Sequence, residues 1–450
     1  MEKRILLQCQ NLTYFYFGLA AIYTKYARED VIVDVLFTRY RNTDAIMDYI
    51  KLNKNVENVF DVNYKQVHKI SKKIDTMTNT FANRLYFNVY FKHYMQSKIS
   101  KMLNKNTYDS VFYNEGSTVM CLISTLMPTV EYVIYGDGSG LLYNRHASKL
   151  LDINNVYKKP YFLNEVSPNE IISLAPYKKD DSLNTDGLSI TATNTDIIVE
   201  LIKSHDEVQS VVNNFAQKIE NEYKGYDKKI FLMASRLDAV EYFLMNEEEQ
   251  INIYVDMINE FATKNSLVIL KQHPNSKADL VEILSKRCDC KIIGVPAELN
   301  LLPAEAYVKL LFMMDKIITF ISSSKIAIKM LYDIDTDDAW DIIQRYPLKE
   351  RVNSELEFFK ELIEKLPTWD KKSIILEKNM IPVLEAFHEK YKYLFPENEL
   401  ENKKNTFFEN IFSVKIFYDV DIKRKVITIF GLKIKTKVIT IFGLKIKTKV

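Results

Sequence analysis

Residues 132–140 read Tyr-Val-Ile-Tyr-Gly-Asp-Gly-Ser-Gly, and this stretch decides the fold. Its first four residues are apolar or aromatic, as in a strand that is buried on both faces of a sheet. The next five hold three of the ten glycines of the chain, which indicates a tight turn directly after the strand. A buried strand that ends in a polar turn is typical of a parallel sheet covered by helices.

The same pattern recurs on both sides of this stretch. Short apolar runs predict further strands at 4–8, 31–37, 56–62 and 110–113, and later at 229–233, 267–271, 291–294 and 316–320. Longer amphipathic stretches predict helices at 14–26, 67–103, 117–126, 197–222, 247–264, 303–312 and 325–332. Residues 174–196 are rich in Pro, Asp, Ser, Thr and Asn, and we interpret them as a linker.

A chain of 450 residues is too long for one ordinary hydrophobic core. We predict an α/β protein with two Rossmann-like domains that face a central cleft. The N-terminal domain covers 1–190, the second domain covers 191–400, and an extension covers 401–450.

Composition excludes several classes of protein. Hydrophobic residues make up 47% and charged residues 27%, a globular balance, and the net charge of +2 argues against a nucleic-acid partner. The N-terminus shows neither a secretory leader nor an apolar run of the ~20 residues that a membrane span needs. We therefore expect a cytoplasmic protein.

The polar residues that could do chemistry follow the predicted strands. Asp137 lies in the glycine-rich turn, where the small neighbour Gly138 lets a substrate approach the carboxylate, so Asp137 is a candidate general base. His273 follows the strand at 267–271 and precedes Pro274, and its imidazole could donate a proton to a departing phosphate. Lys271 lies two residues before His273, on the same face of the strand, and could add positive charge.

Two further groups follow strands of the second half. Ser322, Ser323 and Ser324 join a strand to a helix, where their hydroxyls and the free N–H groups of the helix start favour an anion; ordinary helix capping is the alternative. Glu298 follows Pro296, and its carboxylate could accept hydrogen bonds from a ribose, as acidic residues do in dinucleotide-binding folds. A solvated surface acid, before a helix that starts around Leu301, is the alternative for Glu298.

The order of these motifs resembles the bacterial sialyltransferases of the capsule and lipooligosaccharide type, including the polysialyltransferases. That family carries an acidic-Gly motif, then His-Pro, then Ser-Ser or Ser-Thr; the counterparts here are 136–138, 273–274 and 322–324. The resemblance covers about residues 1–335 and implies a GT-B glycosyltransferase fold. It implies inverting transfer from CMP-sialic acid to a bacterial capsular polysaccharide or lipooligosaccharide, without a metal ion or other cofactor.

The resemblance also implies roles. Asp137 would be the general base and His273 the general acid, the three serines would bind the phosphate or the sugar carboxylate, and Glu298 would bind the cytidine ribose. One position departs from the family, because Gly136 stands where the family has a first acidic residue. Glu115 is a candidate for the missing charge.

Other functions fit the same motifs. A different nucleotide-activated donor is one alternative, either a hexose or a polyol phosphate of the CDP-glycerol type. A capsule-assembly scaffold that has lost activity is another.

The C-terminus carries an internal repeat. Residues 425–436 recur as 437–448, with period-2 alternation and glycines inside, which predicts short strands or hairpins and not a helix. Eight lysines lie in 423–450. We expect this basic, apolar tail to contact the inner face of the cytoplasmic membrane; an edge extension of the sheet, or a repeat without a role, is the alternative.

Overall fold

A computed structural model describes the fold over most of the two halves. The described residues are 2–27, 29–38, 44–62, 97, 99–103, 107–114, 120, 123, 127, 129–136, 169–174, 189–234, 247–273, 279–319, 322, 324–337, 339–346, 427–429, 432–434, 438–441 and 444–447. Most of the predicted helix at 67–103 and of the helix at 117–126 falls outside this set.

The first half is built on a seven-stranded parallel sheet with the order β3-β2-β1-β4-β5-β6-β7. Its strands are β1 Lys3–Cys9, β2 Val31–Thr38, β3 Asn58–Val62, β4 Ser110–Tyr113, β5 Glu131–Gly136, β6 Glu170–Ser173 and β7 Ser189–Ala192. The first six positions of this order are those of the Rossmann fold, in which the order of strands along the sheet reverses between β1 and β4 while all strands stay parallel. All five strands predicted for this half are confirmed, within two residues at each end.

One expectation for this half is wrong. The predicted linker at 174–196 contains β7, which pairs in parallel with β6 and extends the sheet. Neither β6 nor β7 stands out in the sequence, because β6 has only Ile171 and Ile172 as apolar residues and β7 alternates Ser189 and Thr191 with single apolar residues. A strand this short depends on its neighbour in the sheet more than on its own pattern.

The strand β2 carries a buried charge. The Asp34 side chain is 0% exposed, and its carboxylate accepts hydrogen bonds from Arg4 Nε at 2.9 Å, Asn58 Nδ2 at 2.8 Å and Tyr108 OH at 2.9 Å. Arg4 Nη2 lies 2.8 Å from the same carboxylate. Asp34 thus interrupts an apolar strand without loss of the strand, because the neighbouring elements supply its donors.

Helix α1, Leu12–Lys25, packs unusually close to the sheet. Its first turn is capped by Asn11, whose Oδ1 accepts from Tyr14 N at 2.8 Å. A Cβ placed on Gly18 would lie 2.9 Å from the Tyr135 ring and would also collide with the Leu7 side chain. Glycine is therefore required here by the close approach of α1 to β1 and β5.

Replacing Gly18 with valine is expected to lower the free energy of unfolding by about 1–3 kcal/mol, because the buried neighbours leave no room for the new atoms. Urea unfolding measures the loss. Gly225 is the matched control, since a Cβ there would meet nothing within 4 Å. Equal stability changes in the Gly18→Val and Gly225→Val variants would contradict the close approach.

Further helices in the described part of this half are α2, Asp44–Leu52, and two that follow β7, α3 Thr195–Lys203 and α4 Asp206–Glu222. The prediction of a single helix at 197–222 is wrong, because the helix is interrupted at Ser204 and His205. The His205 side chain is buried in the core at this interruption.

The second half repeats the Rossmann order in a four-stranded parallel sheet, β10-β9-β8-β11. Its strands are β8 Lys228–Met233, β9 Ser266–Lys271, β10 Lys291–Gly294 and β11 Lys316–Thr319. The helices are α5 Glu247–Phe261, α6 Leu280–Ser285, α7 Ala297–Asn300, α8 Val308–Phe312, α9 Ser324–Tyr332 and α10 Trp340–Ile343, with a 3₁₀ turn at Ala304–Ala306. The sequence merged this turn and α8 into one helix.

The two faces of the second sheet join different cores. Phe231 and Ile269 belong to a core that continues into the first half and includes α4, whereas Leu232 and Leu270 pack with α5 and α6. Alternate residues of each strand thus serve opposite faces, as the pleat requires. The predicted α/β class with two Rossmann-like halves is confirmed.

The repeated C-terminal segment forms two hairpins. Strand β12, Ile427–Ile429, pairs antiparallel with β13, Leu432–Ile434, and β14, Val438–Ile441, pairs antiparallel with β15, Leu444–Lys447. Each copy of the repeat therefore makes its own hairpin, which confirms the prediction from period-2 alternation.

Among the described helices, none is both long and apolar enough to cross a membrane.

Candidate active site at the carboxyl edges of the two sheets

The second sheet aligns the ends of its strands. Met233 is level with Lys271 on one side and with Thr319 on the other, and Leu270 is level with Gly294. Because all four strands are parallel, the residues that follow them leave from one edge. In open α/β sheets this carboxyl edge is where ligands bind.

The described candidate residues of the second half lie along this edge. His273 follows β9 by two residues and is partly buried, Glu298 is exposed on α7, which follows β10, and Ser322 and Ser324 follow β11. Pro274 and Ser323 lie outside the described residues. Glu298 lies within α7, which runs from Ala297 to Asn300, whereas the sequence placed it before a helix that starts around Leu301.

Ser322 caps a helix. Its Oγ accepts a hydrogen bond from Ser324 N at 3.2 Å, and its carbonyl accepts from Lys325 N at 3.1 Å. This is the capping arrangement that the sequence offered as the alternative to an anion site. Since the Ser322 hydroxyl keeps its own proton, it can still donate to an anion, and phosphate binding by the serines stays a prediction.

Lys271 is more deeply placed than its sequence position suggested. It is 9% exposed, and its Nζ donates to the backbone carbonyl of Asn300 at 3.0 Å. Burial lowers the pKa of Lys271 from 10.5 to about 8, while the nearby Glu305 carboxylate opposes this shift. One of the three ammonium N–H groups is therefore used within the protein, and a direct contact of Lys271 with a donor phosphate stays a prediction.

The lowered pKa predicts an alkaline gain in stability. Below pH 8 the folded protein must keep a charged ammonium in a buried place, and this cost disappears as the pH rises past 10.5, the value for the unfolded chain. Between pH 8 and pH 10.5 we expect the free energy of unfolding of the wild type to rise by up to about 3 kcal/mol relative to that of Lys271→Met. Urea unfolding at several pH values measures the difference; the exposed Lys309→Met is the control, and parallel curves for wild type and Lys271→Met would contradict the expectation.

The edge of the first sheet carries residues that sequence reasoning missed. Gln8 is 2% exposed; its Nε2 donates to Thr38 Oγ1 at 3.0 Å, and its Oε1 accepts from Asn114 N at 3.4 Å. Tyr135 OH donates to the Gln8 carbonyl at 2.6 Å. The available signal was a glutamine at the end of an otherwise apolar strand, since a buried polar side chain must find partners.

The glycine-rich turn begins at this same edge. Gly136 is the last residue of β5, is level with Ser173 of β6, and accepts a hydrogen bond at its carbonyl from Leu174 N at 2.9 Å. Asp137, Gly138 and Glu115 lie outside the described residues. Their predicted roles, and the meeting of Asp137 with His273, stay predictions.

A buried histidine links α4 to the first two helices of the chain. The His205 Nε2 lies 3.0 Å from the Tyr49 carbonyl of α2, and its Nδ1 lies 2.8 Å from Tyr16 OH of α1. Since only a protonated Nε2 can bond to a carbonyl, the neutral ring donates through Nε2 and accepts the Tyr16 proton at Nδ1. Burial lowers the pKa of His205, which favours this neutral form. Sequence reasoning missed the residue because it was read as part of a continuous helix.

Among the described residues, no group of three or more His, Cys, Asp or Glu side chains is placed to hold a metal ion.

Comparison with known proteins finds distant structural likeness. No protein-family model and no curated protein matches the chain. It is similar to a UDP-N-acetylglucosamine 2-epimerase from Rickettsia bellii, with a TM-score of 0.43 and 13% identity over 90% of this chain and 100% of that one. For a UDP-GlcNAc 2-epimerase from Neisseria meningitidis, bound to UDP-GlcNAc, the TM-score is 0.42 and the identity is 12%, over 87% of this chain and 100% of that one. For the E. coli heptosyltransferase WaaC with ADP, the TM-score is 0.35 and the identity is 9%, over 73% of this chain and 84% of that one.

None of these three structures is a sialyltransferase. At 9–13% identity and with TM-scores of 0.35–0.43, the likeness transfers neither substrate nor activity to this chain. The resemblance to sialyltransferases therefore rests on the sequence motifs alone.

Proposed function

We propose that this chain is a glycosyltransferase that uses a nucleotide-activated sugar, with CMP-sialic acid as the donor and a bacterial surface glycan as the acceptor. The observation that carries the proposal is the common edge of the second sheet. His273, Glu298, Ser322 and Ser324 all follow strands of one Rossmann-order sheet on its carboxyl side. An imidazole, a carboxylate and hydroxyls at that edge match the phosphate and ribose of a nucleotide donor.

The proposed reaction is a single inverting displacement. The acceptor hydroxyl oxygen attacks the anomeric carbon of the sugar as Asp137 takes its proton, and the bond from that carbon to the phosphate oxygen breaks. CMP leaves and takes a proton from His273. We expect the small Gly138 to leave room for the acceptor beside the base, and the fixed ring of Pro274 to set the course of the chain after His273.

The remaining residues would hold the donor. Ser322, Ser323 and Ser324 would bind the phosphate or the sugar carboxylate, Lys271 would add positive charge behind them, and Glu298 would accept hydrogen bonds from the ribose hydroxyls. We expect no metal ion to take part.

Incubation with CMP-sialic acid and a panel of galactoside and sialoside acceptors tests this function, with products detected by mass spectrometry. The expected result is a mass increase of one or more sialic acid residues with release of CMP, unchanged by EDTA. If no acceptor gains mass and no CMP is released, the sialyltransferase proposal is overturned. Calorimetric titration with CMP, UDP, ADP and CDP-glycerol then separates another donor class from a scaffold, which would bind none of them.

We also propose that the two C-terminal hairpins contact an anionic membrane surface. Residues 423–450 contain eight lysines and neither Asp nor Glu, and each repeat alternates these lysines with isoleucine, leucine and valine. A lysine near such a surface contributes roughly 1 kcal/mol, and apolar residues add to this by entering the interface.

Deleting residues 424–450 is expected to reduce binding to vesicles that contain phosphatidylglycerol by at least about 10-fold, and salt should weaken the binding of the full chain. Co-sedimentation measures both effects, and vesicles of phosphatidylcholine alone are the control. Unchanged co-sedimentation after the deletion would remove the tail as a membrane contact.

A further inference from the structure

The segment 299–307, which follows Glu298, has four backbone carbonyls that accept hydrogen bonds from side chains. Asn300 O accepts from Lys271 Nζ at 3.0 Å, Glu305 O from Tyr332 OH at 2.6 Å, and Ala306 O from Gln209 Nε2 at 3.1 Å. Leu299 O accepts from Tyr307 OH. We call these four donors, Lys271, Tyr307, Tyr332 and Gln209, the carbonyl clamp.

The clamp is buried and comes from four parts of the fold. Its donors are between 0% and 9% exposed. They lie on β9, just before α8, at the end of α9 and in α4. Most side-chain donors to backbone are local in sequence, whereas three of these reach across 27, 29 and 97 residues. Three distant elements, together with Tyr307 of the segment itself, therefore hold one short segment in place.

The first two carbonyls belong to the helix that carries Glu298. Helix α7 has only four residues, and a helix of that length has no stability of its own. Tyr307 and Lys271 hold its last two carbonyls, at Leu299 and Asn300, while Glu298 itself remains exposed. The position of the Glu298 carboxylate thus depends on donors that lie beneath it in the core.

The clamp is also tied to the first half. Gln209 lies one turn into α4, the helix that starts at His205, and His205 is bonded to α1 and α2. Helix α4 of the first half therefore contacts the segment that follows Glu298. This connection sets Glu298 relative to the first half as well as to its own sheet.

We propose that Tyr307, Tyr332 and Gln209, together with Lys271, are positioning residues that hold Glu298 ready for the ribose hydroxyls of the donor nucleotide. The inference rests on the proposed function. Holding the carboxylate before binding avoids the entropic cost of ordering it when the nucleotide arrives. Loosening the clamp therefore weakens the ribose contact and leaves the phosphate contacts unchanged.

The test compares CMP with 2′,3′-dideoxy-CMP, which lacks both ribose hydroxyls. Tyr307→Phe and Tyr332→Phe should each weaken CMP binding by about 2- to 10-fold, the range that one hydrogen bond supports. Neither variant should change binding of the dideoxy nucleotide. With CMP-sialic acid, the donor KM should rise by the same factor while kcat stays constant.

Two further variants sharpen the result. Glu298→Gln should show the same selective loss, and adding Tyr307→Phe to it should cause no more, because both act through one contact. Tyr346→Phe is the matched control, since it removes a partly buried hydrogen bond from Tyr346 to Asp256 of α5, elsewhere in this half. This control should lower stability and leave the affinity for both nucleotides unchanged.

Several outcomes would overturn the inference. If the clamp variants bind CMP and dideoxy-CMP more weakly by the same factor, the clamp has a general structural role. If Glu298→Gln loses affinity for CMP and the clamp variants do not, Glu298 acts independently of the clamp. If Tyr307→Phe fails to fold, Tyr332→Phe and Gln209→Leu carry the same test. If the wild type binds no nucleotide, the proposed function fails; hydrogen exchange at 297–300 still tests the clamp, and unchanged exchange in Tyr307→Phe would refute it.

Discussion

Replacing His273 with alanine, or Asp137 with asparagine, is expected to slow sialyl transfer by about 10²–10⁴-fold, the contribution of a positioned acid or base. The physical reason is that each variant removes one proton transfer from the transition state. Asp137→Asn should change the affinity for CMP by no more than a few fold, since the base contacts the acceptor and not the nucleotide. Single-turnover kinetics and calorimetric titration with CMP measure the two quantities.

The double variant gives a sharper test of the pair. If both residues serve the same displacement, the double variant should be much less impaired than the product of the two single losses. Unfolding midpoints of all three variants control for the fold. Loss of CMP binding together with transfer in Asp137→Asn would show a structural residue, and full activity in either single variant would remove it from the mechanism.

Replacing Asp34 with alanine is expected to lower the free energy of unfolding by about 2–4 kcal/mol, because Asn58, Tyr108 and the partly exposed Arg4 lose a buried, charged acceptor. The change leaves Arg4 without its carboxylate and removes the acceptor that Asn58 and Tyr108 share. These residues lie on β1, on β3 and just before β4, so the effect reaches the centre of the first sheet. Urea unfolding followed by circular dichroism measures the loss.

Asp48 provides the matched control for this prediction. Its side chain is 66% exposed and lies 3.5 Å from Lys51 Nζ, one turn along the same helix. Exposed pairs of this kind contribute about 0–1 kcal/mol, so Asp48→Ala should be nearly neutral. A loss below about 1 kcal/mol in Asp34→Ala would show that the buried network contributes little to stability.

Strong local patterns could be predicted from the sequence. The run at 31–37 has enough β-branched residues to specify a buried strand even with Asp34 inside it, and the C-terminal repeat specifies hairpins through its period-2 alternation. The alternation of strands and helices was sufficient for two Rossmann-like halves. In each case the pattern is local, so reading along the chain was enough.

Other features depend on partners that are distant in the chain. Strands β6 and β7 have only two apolar residues each and form by pairing with their neighbours in the sheet. The break between α3 and α4 depends on Tyr16 and on the Tyr49 carbonyl, both more than 150 residues before His205. Lys271 illustrates the same point, since its strand position was predicted while its bond to Asn300 O was not.

By itself, the amino-acid sequence determined the fold class and the set of residues that follow the strands, because periodicity and turn chemistry act over a few neighbours. Only the tertiary structure decided which of these side chains share an edge and what surrounds them. It showed that Lys271 is buried with its ammonium bonded to the Asn300 carbonyl, and that donors of β9, α4 and α9 bond to backbone carbonyls of the segment that follows Glu298. Burial, hydrogen-bond partners and pKa arise from groups brought together across the chain, and no local pattern carries that information.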